Sequence, residues 1–293
     1  MSHDDQAWRR WPRARLEIEY SPSSCVASEA PFLAEYIARS REAERTLACR
    51  KNLHWGAGVD ETFDYFPAAS QGAPLLVFIH GGYWQELSKE ESLFAAPNCV
   101  KNGIAFAAIN YTLAPRATVE TIAQQCRRAV AHLYREAGSL GFDRRRLYVA
   151  GSSAGAHLAA MALVRDWQAA AGAPDDAVAG AILLSGIYNL EPLVDTYVNV
   201  PLHLTAGDAP AVSPMRLPLG SPVRSIVAWG ENETSEVKRQ SRSYAARLEG
   251  AGFPVTAFEL AGINHFDIVF GLADRETQLG RATLELIDGQ KTE

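Results

Sequence analysis

The sequence predicts an α/β protein whose mainly parallel sheet is covered by helices on both faces. Three observations carry that expectation. Short, wholly apolar runs recur, as expected of strands buried on both sides. Stretches with helical spacing separate them. One apolar run passes through a tight Gly/Ser turn directly into an Ala-rich helical stretch. A chain of 293 residues hides roughly three quarters of its extended surface on folding, so a large core needs no disulfides.

Residues 1 to about 70 have no single period and read as an N-terminal extension. Their opening holds Trp8, Arg9, Arg10, Trp11, Arg13 and Arg15, a basic-aromatic patch read as a solvated surface segment rather than a membrane or anion contact. Within 31–50, Phe32, Leu33, Tyr36 and Ile37 lie at amphipathic helical spacing. The first strong strand is 75–79, which ends at a Gly pair, and 104–109 is the next. Over 118–136 the apolar positions Val119, Ile122, Ala123, Cys126, Val130 and Leu133 give a helix. Strand 147–150 leads into helix 154–165. Further strands are expected at 181–184, 225–229 and 255–260, with helices at 236–249, 266–271 and 276–287. One segment breaks the alternation: 187–222 has six prolines, at 192, 201, 210, 214, 218 and 222. A connection that long inside a compact domain reads as a cap or lid. The expectation is one domain over 1–293, with an extension at 1–70 and a cap insertion at 187–222.

Lys and Arg number 28 against 34 Asp and Glu, a net charge of −6, which lacks the basic face that nucleic-acid phosphates demand. No apolar run approaches the ~18 residues of a membrane span. Hydrophobic residues at 47% and charged residues at 21% are those of an ordinary globular enzyme. Cys25, Cys49, Cys99 and Cys126 are scattered, without CxxC or metal spacing, and read as reduced thiols. No apolar stretch follows the polar start, so no secretory signal is expected. The reading is a cytoplasmic enzyme with no metal or cofactor, no nucleic-acid partner and no membrane.

The sharpest motif is Gly151-Ser152-Ser153-Ala154-Gly155, where a strand meets a helix. In such a G-x-S-x-G elbow the central residue, Ser153, is the nucleophile, and the glycines leave room for the neighbouring strand and helix. His80-Gly81-Gly82-Tyr83-Trp84 follows the first strong strand, where a Gly-rich loop can turn backbone N–H groups towards a substrate oxygen. Gly82, Tyr83 and Ala154 are the candidate oxyanion donors. The base must be a downstream histidine. His265, after the last strand, is preferred to His203, which lies in the Pro-rich insert. His157 reads as structural and His80 as a tie for the oxyanion loop. The acid belongs between serine and histidine, after a strand: Glu233, with Glu231 in reserve, ahead of Asp195 and Asp208 in the insert. This order and spacing predict the α/β-hydrolase fold.

HGGYW at 80–84, NYTLAP at 110–115, GSSAGAHL at 151–158, SGIYNLEPL at 185–193, GENETSEVKRQS at 230–241 and NHFDIV at 264–269 resemble the kynurenine formamidase (arylformamidase) family of α/β-hydrolases. The similarity runs from about Tyr20 to the final helix. It implies Ser153 as nucleophile, His265 as base and Glu233 where the family usually has aspartate. The chain also has Val237 where the family usually has phenylalanine, and Asn189 where it has aspartate. The resemblance implies N-formyl-L-kynurenine as substrate, a small formyl group on an aromatic amine, with Tyr83, Trp84 and Tyr188 as candidate flat apolar walls. Another aryl amide, a carbamate or a carboxylic ester is the alternative within hydrolases. A non-catalytic binding module is the alternative outside them, and a serine-directed fluorophosphonate separates the two. A homodimer is compatible with the exposed helices of such a sheet.

Overall fold

The computed structural model describes residues 3–289. Its strands are β1 (Arg50–His54), β2 (Thr62–Phe66), β3 (Ala73–Ile79), β4 (Ala105–Ile109), β5 (Phe142–Ser152), β6 (Gly180–Leu184), β7 (Arg224–Asn232) and β8 (Val255–Asn264). They form one sheet in the order β1-β2-β4-β3-β5-β6-β7-β8. The β1–β2 and β2–β4 pairs are antiparallel, and every pair from β4 onward is parallel. The fold class read from the sequence is therefore the one observed.

The helices are α1 (Arg13–Glu19), α2 (Ala30–Thr46), α3 (Ala96–Lys101), α4 (Val119–Leu140), α5 (Ala154–Met161), α6 (Gln168–Ala171), α7 (Asn199–Leu202), α8 (Ser235–Gly250) and α9 (Gln278–Asp288). Successive residues of a strand face opposite sides, and β3 shows the result. Leu75, Val77 and Ile79 belong to the apolar layer that also holds Val119 and Ile122 of α4, Leu158 of α5 and Leu248 of α8. Leu76 and Phe78 belong to the layer on the other face, with Tyr36 of α2, Cys99 of α3 and Ile287 of α9. Local signals bound the longest helix. The Thr118 hydroxyl accepts from the Thr121 amide at 3.2 Å, and Gly141 closes α4 in a left-handed turn at φ 86°.

Several boundaries differ from the expectations. The stretch before residue 70 supplies two strands, β1 and β2, so it is built into the sheet. β1 is polar and mostly exposed, and β2 carries Asp64 at its centre, so neither shows an apolar run. The helix expected to reach residue 165 stops at Met161, and Val164 bridges to Leu219 of the Pro-rich stretch. The helix expected at 266–271 is a tighter 3₁₀ turn, Ile268–Ala273. Residues 187–222 hold α7 and two 3₁₀ turns, Glu191–Asp195 and Ala209–Val212. The N-terminal patch is partly docked: Trp8 is buried, Arg9 lies over its ring, and Arg9 pairs with Glu191 at 3.1 Å. All four cysteines are free thiols. Among the described residues no helix is long and apolar enough to cross a membrane.

Candidate active site

Parallel register brings the C-terminal ends of β3, β5, β6 and β7 level, through Ile79 opposite Gly151, Ser152 opposite Leu184, and Leu184 opposite Ala228. That edge is where open α/β sheets bind ligands. Ser153 sits in the turn from β5 to α5 with φ 57° and ψ −122°, a backbone state that costs energy in a non-glycine residue. Its amide is anchored to the Leu184 carbonyl at 2.8 Å. The flanking glycines are required sterically. A Cβ on Gly155 would lie 2.0 Å from the Ile79 carbonyl oxygen, and one on Gly151 would lie 2.3 Å from the Gly155 backbone.

His265 follows β8 and Glu233 follows β7. The imidazole Nδ1 lies 2.9 Å from Glu233 Oε2, and both side chains are almost fully buried. The other carboxylate oxygen, Oε1, accepts from the Ser185 hydroxyl at 2.5 Å and the Gly230 amide at 2.6 Å. A carboxylate can only accept, so Nδ1 carries the proton and Nε2 keeps its lone pair. The reserve carboxylate, Glu231, is elsewhere: its Oε2 accepts from the Gly262 amide at 2.8 Å. The turn after His265 is pinned by a box in which Asn264 donates to Asp267 from its amide at 2.7 Å and its side chain at 2.9 Å. The Asn264 side-chain oxygen accepts from the Phe266 amide at 2.8 Å. Burial raises the Asp267 carboxyl pKa above its ordinary value, and the Glu233 charge adds to this.

Ser153 and His265 border one cavity of about 290 Å³, together with Gly82 and Tyr83. Among the described residues no direct hydrogen bond joins the two side chains; in unliganded hydrolases this contact commonly tightens only around substrate. The Gly-rich loop enters in the left-handed region at Gly82, Tyr83 and Trp84, with φ 88°, 48° and 61°. A Cβ on Gly82 would lie 2.3 Å from the Glu86 carbonyl oxygen. Among the described residues, the amides of Gly82, Tyr83 and Ala154 take no hydrogen bond within the protein. His80 stacks on Tyr111 at 4.0 Å, and the Tyr111 hydroxyl donates to the His80 carbonyl at 2.9 Å, which fixes the start of the loop.

Two sequence-based assignments need correction. Trp84 and Tyr188 are fully buried and do not border the cavity. Trp84 turns into the core, where its indole N–H donates to His157 Nδ1 at 3.3 Å, while His157 Nε2 donates to the Val212 carbonyl at 2.7 Å. Tyr188 stacks on Tyr244 of α8 with centroids 4.1 Å apart. The aromatic side chains that border the cavity are Tyr83, one of the candidate walls, and Tyr36, Phe78, Phe94, Tyr197 and Phe266, which the sequence did not single out as walls. Of these, Tyr83 and Phe266 lie within recognisable motifs and Phe78 in the strand just before one; Tyr36, Phe94 and Tyr197 come from other segments with no shared signal. From 187–222, Tyr197 and Val198 border the cavity; from the N-terminal stretch, Pro22, Ser23, Glu29, Leu33 and Tyr36 do. Neither His203 nor Asp195 nor Asp208 does. Among the described residues, no three His, Cys, Asp or Glu side chains gather as a metal site would require.

The kynurenine formamidase of Danio rerio is 34% identical over 296 residues, spanning 96% of this chain and 98% of its own length. That of Salmo salar is 35% identical over 297 residues, with the same shares. The BD-FAE family model matches residues 64–185. A crystal structure from Silicibacter sp. TM1040 superposes with a TM-score of 0.80 at 26% identity, covering 93% of this chain and 98% of that one. An esterase from Pyrobaculum calidifontis shares the fold, with a TM-score of 0.70 at 19% identity and coverage of 94% and 97%.

Proposed function

The chain belongs to the kynurenine formamidase family, and from that premise we propose that it hydrolyses N-formyl-L-kynurenine to L-kynurenine and formate. Ser153 is the nucleophile, His265 the base and Glu233 the residue that orients the imidazole. The observation that carries this reading is the buried 2.9 Å His265–Glu233 pair, whose imidazole borders the same cavity as a serine held in a strained strand–helix turn.

The Ser153 hydroxyl oxygen attacks the formyl carbon while His265 Nε2 takes its proton. The resulting oxyanion is held by the N–H groups of Gly82, Tyr83 and Ala154, which have no competing partner among the described residues. His265 then gives the proton to the leaving aryl amine, the C–N bond breaks, and a formyl-enzyme remains. Water repeats the attack, with His265 again as base, and formate leaves. The cavity supports an aromatic leaving group through Tyr36, Tyr83 and Phe94. Its described lining has the carboxylates of Glu29 and Glu86 and no Lys or Arg, which favours a leaving group bearing an ammonium.

The same reading treats 1–293 as one domain in which 187–222 caps the cavity through Tyr197 and Val198, and puts the enzyme in the cytoplasm. A homodimer through the exposed helices is compatible with it. The test is kcat/KM on N-formyl-L-kynurenine beside formanilide and p-nitrophenyl acetate, with Ser153→Ala as control. The proposal expects the formyl substrate to exceed ~10⁴ M⁻¹s⁻¹, the ordinary range for a true substrate, and Ser153→Ala to lose about 10⁴–10⁶ in turnover. Slow formyl-kynurenine cleavage beside brisk ester cleavage would keep the serine chemistry and overturn the substrate. A carboxylesterase would then be the better reading.

A further inference from the structure

We infer that residues 19–36, which precede the sheet, position the reacting groups, with the Tyr36 and Tyr83 hydroxyls as the two pins. The inference rests on the roles proposed above for Ser153, His265 and Glu233. This single stretch of chain touches the loops that carry the base, the acid and two of the oxyanion donors.

At the base loop, the Tyr36 hydroxyl donates to the carbonyl of Phe266, the residue after His265. Tyr36 is buried with its ring edge-on to Phe270 at 5.4 Å, and Phe32 stacks on Phe266 at 5.7 Å. At the oxyanion loop, the Tyr83 hydroxyl donates to the Tyr20 carbonyl at 2.6 Å. At the acid loop, Thr234, next to Glu233, donates its hydroxyl to the Glu19 carbonyl at 2.7 Å. The Glu19 carboxylate then caps α8 by accepting from the Glu236 amide at 3.0 Å, and the Tyr20 hydroxyl donates to Glu236 Oε1 at 2.7 Å. Between these anchors, Pro22, Ser23, Glu29 and Leu33 form part of the cavity wall. The donors of the oxyanion hole, the base and the acid are thus spaced by one covalent strap as well as by the sheet. Acyl transfer is sensitive to such spacing, since a misplacement of about 1 Å can cost ~10²-fold in rate.

Tyr36→Phe and Tyr83→Phe keep the rings and remove only the hydroxyls. Each variant is assayed for kcat and KM on phenyl acetate and formanilide, for the rate of Ser153 labelling by a fluorophosphonate, and for the titrated fraction of active sites. The expectation is that kcat per titrated site and labelling rate each fall about tenfold, the equivalent of one ordinary hydrogen bond, while KM stays within about threefold. A purely structural role would lower the melting temperature or the active fraction and leave kcat per active site unchanged. That result in both variants overturns the inference. If Tyr36→Phe does not fold, Tyr83→Phe decides alone. A wild-type enzyme that neither labels nor hydrolyses either substrate would sink the serine-hydrolase reading, and this inference with it. An active wild type with unaffected variants would sink this inference only.

Discussion

Replacing Glu233 by glutamine exchanges one carboxylate oxygen for an NH₂ group and should remove most of the activity, for a reason fixed by its hydrogen bonds. The Gly230 amide at 2.6 Å can only donate, and the Ser185 hydroxyl at 2.5 Å is directed at the same oxygen, Oε1. In Glu233→Gln that position must stay an oxygen, so the new NH₂ group faces His265 Nδ1, 2.9 Å away in the parent enzyme. Two donors cannot share that contact. The imidazole proton moves to Nε2, the nitrogen that must be bare to take the Ser153 proton. The imidazolium formed during attack also loses its carboxylate. At 2.9 Å and an effective dielectric near 20, that attraction is about 6 kcal/mol. Part of it returns through dipoles and water, which leaves a barrier increase of about 4–5 kcal/mol, or 10³–10⁴ in kcat. KM should change little, because the buried carboxylate does not border the cavity. Steady-state kinetics on p-nitrophenyl acetate, with circular dichroism to confirm folding, provides the measurement. Glu231→Gln is the paired control and should stay within about twofold, since that carboxylate accepts from Gly262 instead. A Glu233→Gln enzyme within tenfold of wild type, or a larger loss in Glu231→Gln, would refute the assignment.

Three further outcomes are expected. Burial holds the imidazoles of His80 and His157 neutral, each with a pKa of about 4 against an ordinary 6.5. The unfolded chain therefore binds more protons between those limits, and stability is full above pH 6.5 and falls as pH drops towards 4, by about 3 kcal/mol per histidine. Urea midpoints that stay flat from pH 6.5 to 5 would contradict this. Tyr197 borders the cavity at 46% exposure and donates to Ser21 at 3.0 Å. Tyr197→Ala should raise KM for aryl substrates several-fold with the melting temperature little changed, and an unaltered KM would remove it from the substrate's path. Glu86→Gln should narrow the preference for leaving groups bearing an ammonium over neutral ones by about threefold at low salt, an effect that 0.5 M NaCl should largely screen. A preference unaffected by the substitution would count against a role for the cavity's acidic rim.

The parts of the fold legible in the sequence are those in which one short window contains the whole cause. The residues of β3 from 75 to 79 are all apolar because both faces are covered, and Gly151 and Gly155 are glycine because a side chain would meet backbone within about three residues of Ser153 or on the adjoining β3. β2 was not legible because its cause is distant. Asp64 is fully buried in the middle of the strand, which a pattern of side-chain polarity reads as a surface loop. What makes it tolerable is Lys89, buried beside it at 3.0 Å, with the Asn52 amide donating to the same oxygen, Oδ1, at 2.8 Å. Burying either charge alone would be far more costly than burying the pair. No local period reveals a partner 25 positions away in the chain.

The misplaced aromatic walls follow from the same limit, one step nearer the chemistry. Tyr83 and Trp84 are adjacent in the same loop, and both have positive φ, so sequence gives no reason to send one to the cavity and the other to the core. The structure does so because the indole N–H has a specific acceptor. Trp84 donates to His157, four residues after Ser153 on α5, and His157 donates in turn to Val212 of the Pro-rich segment. A tryptophan at this place therefore joins the Gly-rich loop to the helix that follows Ser153 and to the segment that supplies Tyr197 and Val198. The tyrosine beside it reaches in the opposite direction to the Tyr20 carbonyl. The two neighbours thus brace the loop from the core and from the N-terminal strap. The motif HGGYW carries its specificity in that division of labour: the glycines permit the turn, and the two aromatic side chains set its position against both flanking structures.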